Sequence, residues 1–202
     1  MSYEALIKMI ESRKCIFVDK VYTVLTQLFA SAEEANKNEE YADEAETQEK
    51  IDHLIGLFLS DIRHTGTADG YHNCAIELAR NDDFPNACCV LERGIARFPA
   101  NVDLLSDYLQ YGIQCDALDK CMAHYETLLK IGMHAWNWRA FDFSIDYFVA
   151  TFEQTTDEKK RTEIANEIMQ LVEKMFEYLP KSEHSYFAKA NFCPWPSLRG
   201  QA

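Results

Sequence analysis

Six histidines and seven cysteines put metal or thiol chemistry first in line. Cys121 and His124 stand three apart, about one helical turn. Cys74, Cys88, Cys89, Cys115, His72 and His134 fall in the same region. Structural zinc is normally held by C-x₂₋₄-C pairs, and no such pair occurs. Free cysteine also packs as a small hydrophobe, which is the simpler account of Cys74 and Cys121. No Gly-rich phosphate loop, G-x-S-x-G or H-E-x-x-H motif is present. The residues therefore predict no catalytic centre, no metal and no cofactor. A small helical enzyme or metal-binding protein using this Cys/His-rich region is the alternative.

The elements that position these residues are helical by expectation. Glycine and proline number only 7 and 5 in 202 residues, too few for the turns of a many-stranded fold. Hydrophobic residues make up 48% of the chain, enough for a core. The net charge is −13, without a basic run, which argues against nucleic-acid binding. No apolar stretch is long enough to predict a membrane span. Charges at Glu4, Lys8, Glu11, Arg13 and Lys14 interrupt any secretory apolar region, and the odd cysteine count suits reduced thiols. The chain is expected in the cytoplasm.

Three stripes at helical spacing open the chain: Tyr3, Leu6, Ile7 and Ile10; Phe17, Val21, Val24, Leu25 and Leu28; Ile51, Leu54, Ile55, Phe58, Leu59 and Ile62. Between the second and third lie residues 31–50, with eight acids against two lysines, or six of the thirteen excess negative charges. That stretch predicts solvated helix ends around a turn. It suits solubility, or an electrostatic handle for a basic partner.

From Asp69 the chain repeats at thirty-four residues. Tyr71 aligns with Leu105, Cys74-Ala75 with Tyr108-Leu109, Leu78 with Gly112, Ala87 with Cys121, Leu91 with Tyr125, and Pro99 with Met133. Each helix-turn-helix copy has small residues (Ala87, Cys121) where paired helices approach. Asp83 and Pro85 signal a helix start. A longer third copy runs through the aromatic segment of Trp136, Trp138, Phe141, Phe143, Tyr147 and Phe148. It continues past Thr155-Thr156-Asp157 to a stripe ending at Pro180. A last helix is predicted from Ser185 to Phe192, stopped by Pro194 and Pro196. Trp136 and Trp138 are two apart and cannot share one helix face, so one of them is expected exposed or ahead of the helix.

This pattern resembles the tetratricopeptide repeat (TPR) in a degenerate form, covering about sixty-eight residues well. The resemblance implies an all-α fold, a right-handed α-α superhelix or TPR-like solenoid of about nine helices with an N-terminal helical cap. The organisation read from it is residues 1–66 as N-terminal helices with an acidic turn, then residues 67–202 as repeats and C-terminal tail. The resemblance further implies a protein–protein interaction module, an adaptor, scaffold or regulatory subunit, with a peptide or protein partner held on the first helix of each pair. Carried over by position, its partner-binding residues are His72, Asn73, Ile76 and Arg80, then Ser106, Asp107, Gln110 and Gln114. Asn73 matches a place where members bond a peptide backbone. His72 and Ser106 stand where a carboxylate-clamping lysine would, so an acidic C-terminal tail is not the implied ligand. Trp138 joins the candidates as an aromatic side chain available to a partner.

Overall fold

A computed structural model describes residues 1–39 and 41–192. The chain divides into two compact units, Met1–Pro99 and Ala100–Ala202.

The first unit contains α1 (Tyr3–Arg13), β1 (Cys15–Phe17), α2 (Val18–Lys37), α3 (Tyr41–Phe58), β2 (Arg63–Thr65), α4 (Ala68–Arg80) and α5 (Phe84–Arg97). Ser2 caps α1, its hydroxyl accepting from the Ala5 amide at 3.3 Å. Leu6 and Ile10 bury the predicted face. Lys14, at φ 48°, ends the helix in the left-handed region. Val21, Val24 and Leu25 of the second stripe and Ile51, Leu54, Ile55 and Phe58 of the third form the buried faces of α2 and α3, which pack against each other. Phe17 instead falls in β1, Leu28 is half-buried, and Leu59 and Ile62 lie half-buried beyond α3. The acidic stretch forms the end of α2, a turn and the start of α3, as its composition predicts, although Glu40 lies outside the described residues. Helix α2 also packs on α4, so the N-terminal helices stack on the first repeat. Gly70 makes that approach possible, because a β-carbon there would strike the Asp19 carboxylate and come within 3.2 Å of Val18 Cγ1.

Helical periodicity does not foresee the two strands. They pair in parallel, Cys15 with Arg63, Ile16 with His64 and Phe17 with Thr65. Three residues are too few to show a period of two, and the partners are distant in sequence, so no local pattern announces them.

The second unit contains α6 (Val102–Gln114), α7 (Leu118–Ile131), a 3-10 turn at Met133–Ala135, α8 (Trp138–Gln154), α9 (Glu158–Tyr178) and α10 (Glu183–Phe192). The described residues thus form ten α-helices, one more than the pattern predicts. Helix α6 packs on α7 and α8, α8 on α9, and α10 on both α9 and α8. Asn101, Asn137 and Asp157 cap α6, α8 and α9, each accepting backbone N–H bonds. Such caps are worth about 1 kcal/mol apiece. The proposed stop at Pro194 and Pro196 lies outside the described residues.

The thirty-four-residue register holds in three dimensions. Helices α4 and α6 begin 34 residues apart, as do α5 and α7. Tyr71 and Leu105, Cys74 and Tyr108, Ala75 and Leu109, Ala87 and Cys121, and Leu91 and Tyr125 are buried in both copies. Leu78 and Gly112, and Gly94 and Leu128, are buried too. Gly112 departs from the large residue expected, and the reason is volume: a β-carbon there would lie 2.6 Å from Cys121 Sγ. The side chain missing at Gly112 is made up by Cys121, where the first copy has only Ala87. Burying a Leu such as Leu91 in this way contributes roughly 1.5–3 kcal/mol.

Trp136 lies ahead of α8, buried, and its indole N–H donates to the Leu128 carbonyl at 3.0 Å. Trp138 is the first residue of α8 and is 38% exposed. The two tryptophans therefore part as their spacing requires.

Candidate partner-binding site

The thiols of Cys74 and Cys121 are buried packing groups. Cys74 Sγ donates to the Val18 carbonyl at 3.7 Å and Cys121 Sγ to the Tyr108 carbonyl at 3.9 Å. Burial pushes both thiols upward, Cys121 to about 12. A thiol held so far above neutral pH supplies almost no thiolate, the reactive form.

In the first unit, α4 carries His72, Asn73 and Ile76, all half-buried, and Arg80 at its exposed end. Arg80 reaches Glu77 of the preceding turn at 3.7 Å. It also lines a cavity of about 570 Å³ with Glu33, Asn36, Gln48 and Asp83. Of these four α4 candidates, Arg80 is the one turned to solvent.

In the second unit, the equivalent residues of α6 differ sharply in burial. Ser106 is fully buried and donates to the Val102 carbonyl at 2.6 Å. Asp107 is also fully buried and ion-paired with Arg139 of α8, so it braces the face from within and does not present a free carboxylate. Gln110 is half-buried and Gln114 exposed, at the end of the helix.

A second tie holds α6 to α8. Asn137 caps α8 by accepting from the Ala140 amide at 3.1 Å, and its side-chain amide donates to Asp103 at 2.7 Å. These two bridges set the angle at which α8 presents its outer residues.

The outer stripe of α8 is Trp138, Asp142 and Asp146, at i, i+4 and i+8 on one helix face. Of these, residue-type reasoning singled out only Trp138. The spacing was the available signal, masked by the aromatic residues that dominate the segment. Trp138 stacks on His184 of α10, ring centroids 3.8 Å apart and planes 11° from parallel. Nδ1 of the same imidazole lies 3.1 Å from Asp142. On the other side, the Arg139 guanidinium sits 5.6 Å from the Phe143 ring centroid.

Both outer carboxyls titrate above the ordinary Asp range. For Asp142 the main cause is desolvation, partly offset by His184. For Asp146 it is desolvation and then repulsion from Asp142. Two carboxylates destabilised in this way are stabilised by any cation placed between them. The site therefore combines an aromatic edge, paired acids and a braced backbone.

No family model matches the chain, and no curated protein sequence does. Solved structures do match in fold. One is a thermophilic TPR protein of Thermus thermophilus, at 10% identity, with a TM-score of 0.57 over 66% of this chain and 68% of that one. Another, from Bacteroides ovatus and described as a candidate protein-binding protein, gives a TM-score of 0.49 at 14% identity, over 87% of this chain and 96% of that one. With the helix pairs and the 34-residue register in place, the first of these likenesses establishes the fold: the chain is an all-α, TPR-like helical-repeat protein.

Proposed function

We propose that the chain is a non-catalytic protein-interaction module of the cytoplasm, an adaptor, scaffold or regulatory subunit, that binds a peptide or protein partner on the first helices of its pairs. The observation that carries this reading is the Trp138–Asp142–Asp146 stripe on α8. A partner lysine or arginine would pair with the two carboxylates while its aliphatic stem lay against the Trp138 edge. The acidic stretch at residues 31–50 would add long-range attraction for the same kind of partner. His72, Asn73, Arg80, Gln110 and Gln114 are proposed as further contacts, with Asp107 in a supporting role.

The test is affinity capture from the source cells, followed by titration of the recovered partner against wild-type protein and an Asp142→Asn/Asp146→Asn variant. The expected result is a partner with a basic segment whose affinity falls about tenfold or more in the variant. Equal affinity for both proteins would place binding elsewhere. Recovery of no partner, with turnover found in a broad activity screen, would overturn the reading altogether.

A further inference from the structure

In the first unit, the end of α1, both strands and the end of α5 enclose a concavity of about 460 Å³. Arg13, Arg63 and Arg97 line it, with Phe17 and Thr65. These arginines are far apart in a chain of net charge −13, and only the fold brings them together. With 33 acidic residues on the chain, arginines on its surface would be expected to find carboxylates. Arg13 and Arg63 form no ion pair with any described residue.

Arg97 is held in place by donating to the His64 carbonyl. The Arg13 guanidinium lies 5.7 Å from the Phe17 ring centroid, and Lys20 Nζ lies 5.9 Å from the same centroid. The Thr65 hydroxyl makes no hydrogen bond with any described residue. Asp19, in the first turn of α2, does not neutralise the pocket: its carboxylate accepts from Thr67 at 2.7 Å and lies against Gly70. His64, which also lines the concavity, titrates below its ordinary value, first through burial and then through the charges of Arg93 and Arg97.

We propose that this concavity binds a phosphoryl dianion. Three guanidiniums exceed the charge of one carboxylate, whereas a phosphoryl group offers two charges and three oxygens to forked N–H donors. The Thr65 hydroxyl supplies a further donor. The group could arrive as free phosphate or as a monoester carried on a larger molecule, and the chemistry recognised is the same.

The experiment is calorimetric titration of the full chain with inorganic phosphate and with phenyl phosphate, at constant ionic strength, with chloride as the control. Both probes should bind, and an Arg13→Gln/Arg63→Gln variant should lose about tenfold or more in affinity. Tighter binding of phenyl phosphate would identify the monoester as the source, and equal binding would identify the free anion. Neither exposed side chain has an ion-pair partner among the described residues, so the variant should retain wild-type helicity. Amide NMR of the wild-type chain gives a readout that needs no variant: phosphate should shift Cys15–Phe17 and Arg63–Thr65 selectively. No binding above chloride, equal affinity in the variant, or shifts confined to other segments would overturn the proposal.

Discussion

Trp138 and His184 lie face to face, 3.8 Å between centroids, and so join the first turn of α8 to α10. The imidazole covers one face of the indole, the Phe143 ring approaches edge-on at 6.3 Å, and Trp138 remains 38% exposed. Removing it should uncover the ring without disturbing the buried core of α8. His184→Ala is expected to increase acrylamide quenching of the Trp138 contribution to fluorescence, measured against Trp138→Phe. Unchanged quenching would show that the stack does not persist in solution.

Gly112 and Cys121 form a complementary pair across α6 and α7. With a β-carbon 2.6 Å from Sγ, Gly112→Ala should destabilise by roughly 1–3 kcal/mol, because a packed core yields little to added volume. In the Cys121→Ala background, the same substitution should cost much less. A double-mutant cycle from denaturant melts measures the coupling. Additive effects would contradict the pairing.

Arg139 neutralises Asp107, which is fully buried. Truncating the guanidinium removes the countercharge from a buried carboxylate, and removing one partner of a buried pair typically costs about 3–5 kcal/mol. Arg139→Ala should therefore lower stability on the order of 3 kcal/mol. Asp107→Asn/Arg139→Met should recover much of the loss. Thermal melts of the three proteins decide the matter.

His64 makes the first unit acid-sensitive. Its ring is packed against Phe58 and Tyr71, and neither ring nitrogen has a hydrogen-bond partner among the described residues. Burial, then the positive charge of Arg93, pushes its pKa from 6.5 down to about 4. The unfolded chain therefore binds a proton between pH 6.5 and 4 that the folded chain refuses. The contribution of a neutral His64 to stability should be complete above pH 6.5 and decline as pH falls to about 4, by about 3 kcal/mol. His64→Phe should flatten the dependence of melting temperature on pH in that window. An unchanged slope would refute the assignment.

Much of the architecture was legible because it is written in local periodicity. The helix start at Asp83, the buried face of each repeat and the parting of Trp136 from Trp138 all follow from side-chain chemistry within a few residues. The β1–β2 pair and the reason for Gly112 were not legible, because each depends on a partner outside the local pattern. The candidate site was half legible. Trp138 was in view and helical spacing puts Asp142 and Asp146 on its face, but His184 joins them only because α10 lies beside α8.

The sequence by itself determined that this chain is a set of paired helices repeating at thirty-four residues, with an acidic turn set apart from the repeats. Tertiary structure alone decided which charges are spent inside and which remain outside. Asp107 is buried against Arg139, while Asp142 and Asp146 face outward. Arg13, Arg63 and Arg97 converge on one hollow in an otherwise acidic molecule. The physical reason is one of range. Helix formation and its apolar face are governed by residues three or four apart, whereas the environment of a charge is set by whatever the fold carries next to it.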